Sequence, residues 1–214
     1  MAILHIGTEP LAIAVFARAP LAGAAKTRLI PALGAVRAAR LQRRLTLYAL
    51  QVAERAAIGR VTLWGAPEVS QRFFRAVQRR CGVALCSQAG SDLGERMAAA
   101  FAAQAGPLLL IGSDCPALLP AHLVAAGNAL LDEEPGGRDA VFIPADDGGY
   151  VLVGLRRPQP GLFAGIDWGS ERVMAQTRQR LAELGLHWVE LPGLWDVDRP
   201  ADLERLSALE GFAE

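Results

Sequence analysis

Short apolar runs alternate with amphipathic helical stretches along this chain, and that alternation limits its fold more than any other feature. Leu11 to Ala17 (LAIAVFA) reads as a buried strand, because a continuous apolar run leaves no polar face. Ala35 to Ala57 reads as a helix, with Leu41, Leu45, Tyr48 and Val52 at helical spacing. Its Arg37, Arg40 and Arg44 share one side, as a basic groove or as a solvated face. Strands are expected at Arg60 to Trp64 and Val83 to Ser87, around a helix from Glu68 to Arg80. Asp92-Leu93-Gly94-Glu95 has capping-box spacing and opens an Ala-rich helix. Pro107 to Gly112 is another buried strand, followed by a helix from Pro120 and a polar loop at Glu133 to Arg138. Strands at Ala140 to Pro144 and Tyr150 to Leu155 come next, then a helix capped by Ser170. A strand at Trp188 to Leu191 and a short helix from Pro200, capped by Asp198 or Arg199, complete the chain. This order implies an α/β fold: a mostly parallel sheet covered on both faces, with ligands beyond the carboxyl ends of its strands.

Size and composition limit the rest. The 214 residues suit one domain, 1–214, able to bury a core without disulfides. The hydrophobic share of 52% excludes intrinsic disorder. Lys plus Arg and Asp plus Glu are both 22, a balance that argues against bulk binding to nucleic acid or acidic membrane. Cys81, Cys86 and Cys115 form no CxxC pair, which fits a reducing, cytoplasmic setting. The early apolar run is too short to span a bilayer. His5, His122 and His187 show no metal or triad spacing.

Of the 22 basic residues, only Lys26 is a lysine. A compact ammonium differs from a planar guanidinium, and a tight phosphate site can require the former. Lys26 sits in a loop of small residues after the first strand, with Arg18, Gly23, Thr27 and Arg28. Such a loop lets backbone N–H groups approach an anion. It is not a P-loop, since Ala25 and Pro20 stand where glycines are needed. Asp114 ends the PLLLIG strand and can hold a hard cation, or its own turn. Cys115 beside it reads as a buried, inert thiol. Asp146-Asp147-Gly148-Gly149 is a hairpin signal that can also set Asp147 and the Gly148 and Gly149 backbone against a base or sugar. Asp196 and Asp198 can share a metal or orient a nucleophile, or serve as a solvated residue and a helix cap respectively. Trp168 can stack on a sugar or base, or close part of the core.

Six ordered segments, FARAPLAGAAKTRL, DLGERM, IGSDCPAL, PADDGGYVLVGL, FAGIDWGS and LWDVDRPADL, resemble the bacterial family of predicted GT-A-fold nucleotide-diphospho-sugar transferases. The resemblance runs from Ile13 to Leu206. The first segment is also similar to 2-phospholactate and molybdenum-cofactor guanylyltransferases. Where the family loop commonly reads PVPGRVKTRL, Ala22 and Ala24 replace a Pro and an Arg. The resemblance implies a three-layer α/β/α GT-A fold with a mixed, mostly parallel sheet, and Mg²⁺ or Mn²⁺ at Asp114, with Asp196 or Asp198 as a second carboxylate. It further implies nucleotide phosphates at Arg18, Gly23, Lys26, Thr27 and Arg28. Lys26, Asp114 and Asp198 are then the expected catalytic residues, and Asp147, Gly148, Gly149 and Trp168 the expected substrate contacts. The expected partners are an NTP or NDP-sugar and a small-molecule acceptor. A nucleotide-binding regulatory protein without catalysis is the alternative.

Overall fold

The computed structural model describes residues 11–132, 137–209 and 211–212. His5 and the Glu133 to Gly136 part of the expected polar loop lie outside the described residues. Seven strands form one sheet in the order β3-β2-β1-β4-β6-β5-β7. They are β1 (Ala12–Arg18), β2 (Arg60–Ala66), β3 (Ala84–Ser87), β4 (Leu108–Gly112), β5 (Ala140–Pro144), β6 (Tyr150–Leu155) and β7 (Trp188–Glu190). β1 pairs parallel with β2 and β4, and β2 with β3. β6 runs antiparallel to both β4 and β5, while β7 pairs parallel with β5. The sheet is therefore mixed but mostly parallel, as expected.

Six α-helices flank it: α1 (Ile30–Ala56), α2 (Arg72–Cys81), α3 (Leu93–Ala102), α4 (Pro120–Leu131), α5 (Val173–Glu183) and α6 (Asp202–Ser207). The alternation of side chains along β1 divides the core into two layers. Ile13 and Val15 pack with Leu50 and Ala53 of α1, Phe74 of α2 and Leu123 of α4. Ala12, Ala14 and Phe16 face the other way, toward Met97 and Phe101 of α3 and Met174 and Leu181 of α5. With both faces covered, β1 has no place for a polar residue until Arg18.

Local chemistry moved several boundaries. α1 contains a break at Gly34 (φ 75°, ψ 155°), so its regular part starts at Ala35. α2 begins at Arg72 rather than Glu68, because Gln71 (ψ 136°) is still extended. Asp92 caps α3 by accepting from the Glu95 N–H, but the Glu95 carboxylate reaches Ser91 and not the Asp92 backbone. Ser170 does not cap α5. It sits in the preceding turn, its hydroxyl donating to the Asp167 carbonyl, and the helix starts behind Arg172. Neither Asp198 nor Arg199 caps α6. The Asp202 carboxylate accepts from both their N–H groups, and the helix begins there.

Candidate active-site cleft

Parallel strands deliver their carboxyl ends to one edge of a sheet. β1, β4, β5 and β7 do so here, and antiparallel β6 starts at the same edge. Four loops therefore meet there: 19–28, 113–119, 145–149 and 191–198.

Lys26 joins three of these segments. Its backbone is left-handed (φ 47°), a conformation that costs a non-glycine residue about 1 kcal/mol or more. The turn sends its side chain inward, where it is 3% exposed. The ammonium lies 2.9 Å from Asp114 Oδ2 and donates to the Val197 carbonyl at 2.5 Å. The Val197 N–H in turn donates to the Asp114 carbonyl at 2.9 Å. A second bridge joins the same loops, between Arg28 and Asp198 at the exposed rim.

The other Asp114 oxygen is also held. Ser113 Oγ donates to Asp114 Oδ1 at 3.1 Å, and Gln42 Nε2 donates to Ser113 Oγ at 3.0 Å. Gln42 is 3% exposed on the apolar face of α1. Its position among Ala38, Leu41 and Leu45 was the available sequence signal, because a polar residue buried on a core face needs a polar partner.

Two hollows open beside these groups and share Asp147, Gly169, Ser170 and Asp196. The inner hollow, about 250 Å³, is bounded by Asp114, Tyr150 and Trp168. The outer, about 790 Å³, is bounded by Arg28, Asp198, Arg199 and Arg205. Burial pushes the Asp196 carboxyl up to about 6. The Asp147 charge adds to this, Lys26 opposes it, and Asp114 and Asp198 add further. Burial likewise pushes the Cys115 thiol up to about 12, so at neutral pH it is no nucleophile.

The expected residues divide by position. Asp114, Asp147, Gly149, Trp168 and Asp196 line the inner hollow, and Arg28, Gly148 and Asp198 the outer. Lys26 stands behind the wall, its charge spent on Asp114 and Val197. Arg18, exposed at the end of β1, lines neither hollow, nor do Gly23 and Thr27. Asp147 is held in a tight turn, where its Oδ1 accepts from the Gly149 N–H at 2.9 Å. Trp168 combines both expected roles. It borders the inner hollow and packs edge-on to Tyr150, with ring centroids 6.4 Å apart. Arg199 and Arg205 were not expected, and a surface arginine in an arginine-rich chain carries no sequence signal.

Among the described residues no three His, Cys, Asp or Glu side chains cluster closely enough to hold a metal alone. The donor set nevertheless fits a hard divalent ion shared with a ligand. The acids at the cleft offer only oxygen, and Mg²⁺ commonly takes one or two carboxylates with phosphate oxygens and water.

A family model described as an uncharacterized protein conserved in bacteria (DUF2064) matches residues 49–170. No curated protein matches the chain. A crystal structure from Desulfovibrio desulfuricans G20, described as an inferred nucleotide-diphospho-sugar transferase, is 30% identical with a TM-score of 0.81, covering 94% of this chain and 89% of that one. The inositol-1-phosphate CTP transferase of T. maritima shares 12% identity at a TM-score of 0.55, covering 92% of each chain. Glucosyl-3-phosphoglycerate synthase of Mycobacterium tuberculosis, solved with Mn²⁺, UDP and its product, shares 12% at 0.57, covering 94% of this chain and 76% of that one. The last two likenesses concern the fold alone.

Proposed function

The chain belongs to the DUF2064 family of bacterial proteins, and from that premise we propose that it transfers a sugar from an NDP-sugar to a small acceptor, assisted by Mg²⁺ or Mn²⁺. The observation that carries this reading is the knot of Lys26, Asp114 and Val197 at the wall of a cleft lined by Arg28, Asp147 and Asp196.

Asp114 and Asp196 would hold the ion, which would offset charge on the departing diphosphate. Lys26 and Ser113 fix the Asp114 carboxylate from its two oxygens, so it needs little reorganisation when a ligand arrives. Arg28, exposed at the rim, is placed to meet a diphosphate oxygen by exchanging its bond to Asp198. Trp168 offers a ring face or edge to the sugar. In the transfer, an acceptor oxygen bonds to the anomeric carbon as the bond from that carbon to the diphosphate breaks. The diphosphate keeps the electron pair, and the acceptor proton passes to the Asp147 carboxylate. Of Arg18, Lys26 and Arg28 only Arg28 lines the cleft, which favours a diphosphate donor over a triphosphate.

Nucleotidyl transfer is the second reading, favoured by the fold shared with a CTP transferase. Thermal shift with NTPs and NDP-sugars, with and without Mg²⁺, tests binding, because a ligand held by the native state raises its melting temperature. NDP release marks sugar transfer and pyrophosphate release marks nucleotidyl transfer. Nucleotide binding without either product identifies a regulatory module. No Mg²⁺-dependent shift with any nucleotide would remove all three readings.

A further inference from the structure

The balanced formal charge conceals a separation. Residues 1–80 hold 13 basic and 3 acidic residues, and residues 81–214 hold 9 and 19. The two parts therefore carry formal charges of +10 and −10. Among the described residues the two parts carry +11 and −6, and strand order separates them in space, since β1 and β2 are neighbours toward one edge of the sheet with β3 beyond them, while β4 to β7 fill the rest.

The cationic side has a shaped surface. A groove of about 510 Å³ runs between α1 and α2 and is lined by Arg40, Arg43 and Arg72 above Val36, Ala39, Phe73 and Ala76. Pro20 and Ala22 of the first loop also line it. No acidic side chain lines it. The guanidinium groups of Arg40, Arg43 and Arg72 have no hydrogen-bond or ion-pair partner among the described residues, and neither do those of Arg75, Arg79 and Arg80 farther along α2. Large apolar side chains are exposed at the same place: Val36 is 58% exposed and Leu21, between the two loop residues, 38%.

We propose that this α1–α2 face docks on an anionic phospholipid bilayer. Guanidinium groups bind phosphate oxygens in pairs. A row of them attracts the negative surface of a lipid leaflet, and exposed aliphatic side chains enter the boundary between headgroups and acyl chains. The aliphatic residues distinguish this partner from a nucleic acid. A strand of DNA or RNA gains nothing from Val36 or Leu21 and would call for exposed stacking rings, whereas Phe73 is half-buried with its ring against Phe74, 5.5 Å between centroids. No helix among the described residues is long and apolar enough to cross a membrane, so docking is peripheral. The first loop contributes Pro20 and Ala22 to the groove and Arg28 to the cleft, so a docked molecule works close to the lipid surface. The proposal rests on surface charge and exposure and stands whether or not the transferase reading does.

Co-sedimentation of the full chain with vesicles tests it. Phosphatidylcholine vesicles containing phosphatidylglycerol should pull the protein down at low ionic strength, and pure phosphatidylcholine vesicles should not. Salt at roughly 0.5 M should release it. Each arginine near the surface contributes roughly fivefold, so the R40Q/R43Q/R72Q variant should partition about 100-fold less well. V36S should weaken binding several-fold without changing its salt dependence. R157E, on an exposed loop at the opposite end of the sheet, should bind as the wild type does. All these positions are exposed, and an unchanged melting temperature confirms folding. Equal binding to neutral vesicles, or full binding by the triple variant, overturns the proposal. Displacement by duplex DNA or by pyrophosphate that depends on the same three arginines reassigns the face to a soluble polyanion and also overturns it.

Discussion

At Lys26 one ammonium serves the Asp114 carboxylate and the Val197 carbonyl together, inside a wall that leaves it 3% exposed. One ammonium serves both acceptors from a single nitrogen, whereas a planar guanidinium spreads its donors over three. Lys26→Ala removes both bonds. With Asp114 partly open to water, the loss in stability is about 1–2 kcal/mol. That lowers the melting temperature by about 3–6 °C in a chain of this size. Lys26→Arg should fall similarly, and both should lose most Mg²⁺-dependent nucleotide binding. An arginine variant that melts and binds like the wild type would show that the lone lysine is incidental. Asp196 sets a second test. Its carboxyl rises from 3.8 unfolded to about 6 folded, so the native state holds the proton more tightly. That contribution is complete below about pH 4 and is lost as pH rises through 6. In buffer free of divalent ions, Asp196→Asn should therefore melt above the wild type at pH 7.5. Melts taken down to about pH 4 should converge, and a gap that persists there would place its cause in packing rather than charge.

At the scale of elements, the β5–β6 hairpin depends on one close approach. Gly148 has φ 87°, and a Cβ there would stand 2.1 Å from the Glu171 carbonyl oxygen, just ahead of α5. The Gly148 carbonyl also accepts from the Met174 N–H at 2.8 Å. Gly148→Ala should cost about 3 kcal/mol. Thermal melts should show a fall of roughly 6–12 °C. Gly149→Ala, whose Cβ meets only Asp147 Oδ1 at 3.1 Å, should stay within about 1 kcal/mol. Equal losses at the two positions would contradict the contact with Glu171. This hairpin also marks how far the sequence could be read. All seven strands and six helices follow from apolar period and turn residues, because those signals are local. The hairpin signal at Asp147-Gly148 gave the antiparallel run of β6 against β5, but the insertion of β6 between β4 and β5 was not legible, since a short apolar strand does not encode its second neighbour. Helix starts after irregular turns shifted by two to four residues, as at Glu68 and Ser170, because a cap there depends on which backbone groups the turn has already used. Asp114 and the segments around the cleft stood out as acids and small residues at strand ends. The burial of Lys26, the separation of Arg18 from the cleft and the Gln42–Ser113 relay depend on tertiary contacts more than 70 residues apart, which spacing does not encode.

Across the whole molecule, the two charge populations meet at the cleft. Lys26–Asp114 and Arg28–Asp198 both pair a cation from residues 1–80 with an acid from residues 81–214. A charged ligand arriving there approaches the junction of a strong dipole rather than a neutral surface, so its arrival rate should depend on salt. The same dipole gives the free protein a testable property. A neutral chain with intermixed charges presents no field beyond a Debye length and should pass through ion exchangers. This chain, whose described residues carry +11 before residue 81 and −6 after it, should be held near neutral pH by both a cation and an anion exchanger. Each column should release it by about 0.2 M salt, where the Debye length has fallen to about 7 Å. The R40Q/R43Q/R72Q variant should elute earlier from the cation exchanger and no earlier from the anion exchanger, because only the α1–α2 face has lost charge. Passage through both columns at low salt would mean that the acids of the second part reach around the sheet and screen the first. The lipid-facing surface would then lose its electrostatic basis along with the dipole.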